Sequence, residues 1–336
     1  MKTQTSAKLD EPVSVSVQIV KVEPGRGGQR IDNFLGGRLK GVPRSLIYRI
    51  LRTGQVRVNG KRAKPDTRVG GGDEVRIPPV RTAEPATGGA PAAAQLARIQ
   101  AAVIFEDRDF LVLDKPAGIA AHGGSGVSHG AIELLRAARP GDTLELVHRL
   151  DRDTSGVLVL ARRRAALTGL QALIRENRTT KQYLALLMGD LPRAALSVNV
   201  PLRKSILQGG ERMVRVDEND GKASLTHFRR IATYEGACLV EATLETGRTH
   251  QIRVHSQHLG HPIGGDEKYG DRDFNRRMKA FGLKRLFLHA ARFEFDLGGR
   301  AYAFSAPLAA DLVAVLDALP PAPAAPRALR EGRSVR

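Results

Sequence analysis

One cysteine in 336 residues leaves little room for thiol chemistry. Cys238 has no second cysteine with which to form an internal disulfide or a thiolate metal site, which points to a reducing compartment. Its place in the apolar run Ala237-Cys238-Leu239-Val240 makes it a small buried hydrophobe rather than a nucleophile. No stretch of about 18 apolar residues is present, and the first residues mix polar and charged side chains without an apolar signal core. Neither a membrane span nor a signal peptide is expected, and the chain reads as a soluble, cytoplasmic protein. Nucleotide and hydrolase signatures are missing as well. The run Gly123-Gly124-Ser125-Gly126 lacks the Lys-Ser/Thr pair of a phosphate-binding loop, and no GxGxxG opens a helix. Ser155 lies outside any GxSxG elbow, so its hydroxyl is read as fixing a loop. His255, His258 and His261 are close in sequence, but no cysteine cluster or carboxylate at ligand spacing joins them. No metal and no cofactor are expected.

Acidic residues are also scarce: 35 Asp and Glu face 53 Lys and Arg, for a formal net charge of +18 and a pI near 10.6. Clustered cations release condensed counterions when they meet phosphates, so a nucleic acid is the first partner to consider.

The length suits one sizeable core plus a smaller module. Residues 1–15 carry no periodic pattern and read as a flexible lead-in. From Arg30, apolar Ile31, Phe34, Leu35 and Leu39 recur at helical spacing; Pro43 opens a second helix with Leu46, Ile47, Ile50 and Leu51, ended by Gly54. An alternating strand follows at residues 56–58, closed by Asn59-Gly60, a pair suited to a tight hairpin turn. A further strand is expected at 73–77. This segment carries Arg44, Arg49, Arg57 and Lys61 among many cations, and these four are assigned to RNA contact. In order and spacing it resembles the small RNA-binding module called the S4 domain, placed here at residues 16–79. Residues 80–97, rich in Pro, Gly and Ala, read as a linker. Residues 98–316 are expected to form the second domain, and the Pro-, Ala- and Arg-rich stretch 317–336 a flexible basic tail.

In the second domain, strands are expected at 110–113, 157–160, 183–188, 239–244 and 301–304. Helices are expected at 130–139, 165–175 and 249–259. That mixture predicts an α+β fold with a mainly antiparallel sheet.

The densest chemical signal is Val147-His148-Arg149-Leu150-Asp151-Arg152-Asp153-Thr154-Ser155-Gly156, a charged loop between apolar strands. It resembles the H-R-L-D-x-x-T/S-S/T-G segment of the RluA family of pseudouridine synthases. Four more segments occur in that family's order: DKPAG at 114–118, KQYLAL at 181–186, ETGRTHQIRVH at 245–255 and GDEKYG at 265–270. The segments at 209–224 and 271–290 are similar to the RluC branch, whose members modify large-subunit (23S) ribosomal RNA. The resemblance implies an isomerase that turns uridine into pseudouridine on structured RNA. It implies Asp151 as the catalytic carboxylate, Arg253 as its paired arginine and Tyr183 as the aromatic residue that stacks on the target base. Arg149 would enter the space left by an extruded uridine, and Arg248 would hold phosphate. Leu150 and Ile252 would wall off water, although core packing explains these two as well. A helix-surface cation is the alternative for Arg253, a core aromatic for Tyr183 and a backbone phosphate contact for Arg149. Asp153 is read as a solvated loop residue. The protein is expected to act as a monomer.

Overall fold

The computed structural model describes residues 16–39, 42, 44–80, 91–123, 129–206 and 212–322. The lead-in at 1–15, the linker core at 81–90, the glycine run at 124–126 and the tail from 323 lie outside the described residues. The chain divides into two compact units, Met1–Ala90 and Pro91–Arg336.

The first unit contains β1 (Gln18–Lys21), β2 (Gln29–Arg30), α1 (Ile31–Arg38), α2 (Arg44–Arg52), β3 (Arg57–Val58), β4 (Lys61–Arg62), β5 (Arg68–Val69) and β6 (Glu74–Ile77). The helical spacing does what it implies: Ile31, Phe34 and Leu35 of α1 pack with Ile47, Ile50 and Leu51 of α2 in one core. Asn59 and Gly60 both have positive φ, 49° and 76°, the conformation a two-residue hairpin needs to match strand twist. The hairpin partner of β3 is β4, and β6 pairs with the other edge of β3, giving the order β1-β6-β3-β4.

The second unit opens with α3 (Ala93–Ala101), β7 (Val103–Glu106), β8 (Phe110–Lys115), α4 (Ala131–Ala138), β9 (Glu145–Leu146) and β10 (Ser155–Ala161). It continues with α5 (Arg164–Arg175), β11 (Thr179–Met188), β12 (Ala195–Asn199), β13 (Leu202–Ile206), β14 (Arg212–Val216), β15 (Leu225–Tyr234) and β16 (Ala237–Leu244). It closes with α6 (Gln251–His258), α7 (Arg272–Ala280), β17 (Leu288–Leu297), β18 (Arg300–Ser305) and α8 (Ala310–Ala318). One ten-stranded sheet runs β12-β15-β16-β11-β17-β10-β8-β7, with β18 on β17 and β9 on β10. Among the described strands of this sheet only β10 and β17 pair in parallel, so the fold is α+β and dominated by antiparallel pairing.

Two stretches read as irregular are ordered. Residues 93–97, assigned to the linker, belong to α3: alanine favours helix, and Ile99 is fully buried, with Leu96 packed beside it against α4 and β10. The start of the expected tail, residues 317–319, ends α8 and buries Leu319 beside Leu312 and Val315. The alanine-rich α3 carries only Leu96 and Ile99 as large apolar residues, and that is why composition alone reads it as a loop.

Strand β10 is buried along its whole length and therefore shows no alternation. Val157 and Val159 face the core under α5, and Leu158 and Leu160 face the core under α3 and α4. Its second residue, Gly156, has φ 105°, and a Cβ there would meet the Ala290 carbonyl oxygen at 2.2 Å. Only glycine allows the chain to leave the 147–154 loop and pair so closely with β17.

Two histidines in this unit are held neutral. His148 Nε2 accepts the Val159 N–H at 3.1 Å while its ring stacks on Phe293, with centroids 4.9 Å apart. His255 lies between the Thr226 hydroxyl, 2.9 Å from Nδ1, and the Val200 carbonyl, 3.2 Å from Nε2. A carbonyl only accepts, so Nε2 carries the proton and Nδ1 takes the hydroxyl's. Burial pushes His148 down to about 3 and His255 down to about 4. An unfolded histidine titrates near 6.5, so between pH 6.5 and these values the unfolded chain binds the extra protons, and stability falls as pH falls. Each ring is expected to cost roughly 2 kcal/mol of unfolding free energy by pH 5. Urea unfolding at pH 7.5, 6 and 5 checks this, and a flat profile over that range would contradict it.

Candidate active site

Asp151 sits on the loop between β9 and β10, and several contacts fix that loop. The Thr154 N–H donates to the Asp151 carbonyl at 3.2 Å, and the Gly118 N–H donates to the Arg152 carbonyl at 2.9 Å. Lys115, at the end of β8, is completely buried. Its Nζ donates to the carbonyls of Pro116 at 2.9 Å, Ile119 at 2.7 Å and Arg152 at 3.2 Å. The DKPAG segment thereby pins the Asp151 loop to the sheet. Burial lowers the Lys115 ammonium to about 7, against the opposing charges of Asp153 and Asp151. Ser155, buried at the far end of the loop, is bonded to His289 Nδ1 at 2.9 Å and accepts from Arg285 at 3.1 Å, so it fixes the loop and is closed to substrate. Asp153 points out, 47% exposed and paired with Arg152.

Opposite the loop, residues 245–250 lead into α6. Buried Gln251 organises them: its Oε1 accepts from the Arg248 N–H and the Thr246 hydroxyl, each at 2.9 Å, and its Nε2 donates to the Leu225 carbonyl and the Thr226 hydroxyl. Two residues later Arg253, only 11% exposed, faces inward. This excludes the helix-surface alternative. Its main partner is Asp266, 1% exposed, which takes Nε at 2.7 Å and Nη2 at 2.8 Å in a two-pronged pair. The remaining nitrogen, Nη1, reaches Asp151 Oδ2 at 3.4 Å. Asp266 also accepts the N–H groups of Lys268 and Tyr269. Despite burial, these bonds and the Arg253 charge hold its carboxyl below the usual range.

Tyr183 comes from β11. The register between β11 and β17 slips between Gln182 and Tyr183, leaving Ala291 without an opposing residue. Such a bulge re-aims side chains beside a site. Burial, reinforced by the Asp151 charge, pushes the Tyr183 phenol above its ordinary value, so it stays a neutral hydroxyl.

All seven residues expected at the site of this unit line one cavity of about 110 Å³: Arg149, Leu150, Asp151, Tyr183, Arg248, Ile252 and Arg253. Leu150 and Ile252 are 5% and 4% exposed and belong to two separate apolar cores, so they pack and wall the cavity at once. Arg149 and Arg248 are exposed at its mouth, and Arg248 Nε also donates to the Ala223 carbonyl at 3.1 Å. The other four expected residues belong to the first unit and not to this cavity. Arg49, Arg57 and Lys61 are exposed there, while the side chain of Arg44 lies outside what is described. A larger groove of about 520 Å³ beside β11 and β18 includes Glu245, Glu294 and Asp296 in its wall, a poor match for phosphate.

Sequence reasoning missed His250, Asp266 and Tyr269. His250 Nε2 lies 3.6 Å from Asp151 Oδ2, and its Nδ1 lies 2.8 Å from the Tyr269 hydroxyl. All three lie in the THQIR and GDEKYG segments, whose spacing says nothing of mutual contact. Among the described residues no group of three His, Cys, Asp or Glu side chains is arranged to hold a metal ion. Cys238 is buried, and burial raises its thiol to about 11. No helix of the described residues is long and apolar enough to cross a membrane.

Residues 109–258 match the family model described as RNA pseudouridylate synthase, and residues 29–75 match that of the S4 domain. The chain is 52% identical over 303 residues to ribosomal large subunit pseudouridine synthase C of Escherichia coli K12, covering 89% of this chain and 92% of that protein. It is 50% identical over 319 residues to the protein of the same name from Pasteurella multocida, covering 93% and 97%. Among solved structures, human RNA pseudouridylate synthase domain containing 1 superposes with a TM-score of 0.53 at 28% identity, covering 61% of this chain and 82% of that one. Human RNA pseudouridylate synthase domain containing 4 gives 0.56 at 24% identity, covering 67% and 96%, a likeness of fold.

Proposed function

The chain belongs to the RNA pseudouridylate synthase family, with an S4 domain ahead of the synthase domain, and is an isomerase; we propose that it converts uridines of large-subunit (23S) ribosomal RNA to pseudouridine, with Asp151 acting on a flipped-out nucleotide. The observation that carries this reading is the convergence of Asp151, Tyr183 and Arg253, from three separate segments, on one cavity walled in part by Leu150, Leu244, Ile252 and Leu288.

The reaction breaks the N-glycosidic bond, turns the uracil in place and joins its C5 to the sugar, with the C5 proton leaving at the end. No electron or phosphate is consumed. Asp151 acts as an ionised carboxylate, either by adding to the sugar or base or by taking a proton from the sugar. Leu150 and Ile252 keep water from that carboxylate, and Arg253 balances its charge without engaging it fully, because Asp266 already holds the guanidinium fork. Tyr183 stacks on the base, and its neutral hydroxyl assists the late removal of the C5 proton. A base inside a stack cannot reach this cavity, so the uridine is extruded and Arg149 takes its place. Arg248, with Arg44, Arg49, Arg57 and Lys61 of the S4 unit, holds phosphates and supplies affinity without choosing the base. The reading includes a cytoplasmic, monomeric enzyme without a cofactor.

The test is a map of pseudouridine in large-subunit RNA from cells with and without this protein. A discrete set of positions is expected to revert to uridine and to return on complementation. An unchanged map would remove the proposed substrate.

A further inference from the structure

We propose that His250 is a positioning residue for Asp151, presenting its Nε2–H to the carboxylate, and that Tyr269 sets the tautomer that makes this possible. The inference rests on Asp151 being the reacting carboxylate.

The Tyr269 side chain is 2% exposed, so its single proton must find an acceptor inside the protein. Its oxygen accepts the Val214 N–H from β14 at 2.9 Å and lies 2.8 Å from His250 Nδ1. A phenol has a single proton to donate. Were Nδ1 protonated, it would donate into an oxygen that already accepts, and the buried hydroxyl proton would face no acceptor at that ring. The satisfied arrangement has the Tyr269 O–H donating to Nδ1, which leaves the proton of the neutral imidazole on Nε2. That nitrogen faces Asp151 Oδ2 at 3.6 Å, longer than a formed bond and within reach of a small rotation of the carboxylate.

The surroundings agree. Burial lowers the His250 pKa, the Asp151 charge opposes this, Arg253 and Lys268 lower it again, and Asp266 opposes. The ring is accordingly a neutral donor at pH 7. His250 is also one of three non-glycine residues of the described chain with positive φ, at 55°, just before α6. This left-handed conformation, uncommon for a residue with a side chain, sets the direction in which the ring leaves the backbone. With Arg253 Nη1 on the same oxygen Oδ2, the two donors fix the plane of the carboxylate and leave Oδ1 to the nucleotide.

The test uses the full-length enzyme, saturating transcript of the large-subunit RNA and single-turnover release of the C5 hydrogen. Replacing the donor with an apolar group, His250→Leu, is expected to slow the rate about 10- to 100-fold, the effect of losing a hydrogen bond to a charged group, with half-saturating RNA concentration within about threefold. His250→Gln, whose amide N–H reaches the Nε2 position, is expected to recover most of that loss. Tyr269→Phe is expected to slow the wild type several-fold and to add nothing in the His250→Leu background, since Tyr269 acts through the ring. A His250→Leu rate within twofold of wild type, a glutamine variant as slow as the leucine one, or a Tyr269→Phe effect equal in both backgrounds overturns the inference. The Asp151→Asn variant run alongside separates the two readings. Its loss of activity beside a fully active His250→Leu sinks only this inference, and its retention of activity sinks the function proposed for Asp151.

Discussion

Asp151→Asn is expected to lower turnover roughly 1,000-fold or more, the scale seen when a reacting group is removed and its surroundings are kept. The substitution is nearly isosteric and takes away only the charge that adds to, or takes a proton from, the nucleotide. The protein should tolerate it. Asp151 is 21% exposed and has only two long contacts, 3.4 Å to Arg253, whose fork remains filled by Asp266, and 3.6 Å to His250. No buried charge is orphaned, so stability should stay within about 1 kcal/mol of wild type. RNA affinity should stay within a few-fold, because phosphate contacts supply most of it and none involves this carboxylate. Single-turnover release of tritium from C5-labelled uridine measures the first quantity, and filter binding at fixed salt the second. An asparagine variant retaining a tenth of the wild-type rate would end the case for Asp151.

The opposite pattern is expected at Asp266, which never meets the substrate. Asp266→Asn leaves the Arg253 guanidinium, 11% exposed, without its two-pronged counter-charge. It also weakens the acceptor that holds the N–H groups of Lys268 and Tyr269. Breaking a buried pair from one side costs about 3 kcal/mol or more, because the surviving charge stays desolvated. Asp151 is then the nearest carboxylate, and Arg253 would close on it and tie up the group that must react. Stability and turnover should therefore fall together, with turnover down about 10- to 100-fold in samples that remain folded. Denaturant unfolding and single-turnover rates on the same preparation check both. A variant with wild-type stability and rate would show that the Arg253–Asp266 pair does not support the site.

These two residues mark how far the sequence could be read. The 147–156 segment announces itself locally: a charged loop ending in a glycine that the β10–β17 contact requires. Tyr183 and Arg253 were legible only through their segments' resemblance, and the closer partner of Arg253, Asp266, was not legible at all. Asp266 competes for the same guanidinium from 13 positions away, while Asp151 is 102 positions away. His250 and Tyr269 gave no signal at all, since a tautomer is set by a contact between side chains and no spacing encodes it. Composition failed in its own way at α3, where alanines that favour a helix read as linker. Asp153, two residues from Asp151, reads from the sequence as a solvated loop residue, and it faces solvent.

The sequence by itself determined the two-unit organisation, the excess of cations, the alternation and helical spacing that make these elements, and the chemical identity of the groups available. Those are properties of neighbours along the chain, where periodicity and residue type act over a few positions. Only the tertiary structure decided which nitrogen of Arg253 is left for Asp151, which ring nitrogen of His250 carries the proton and where Tyr183 points. Each of these is settled by a few tenths of an ångström between segments that the sheet brings together, and by the burial that makes an unpaired polar group too costly to keep.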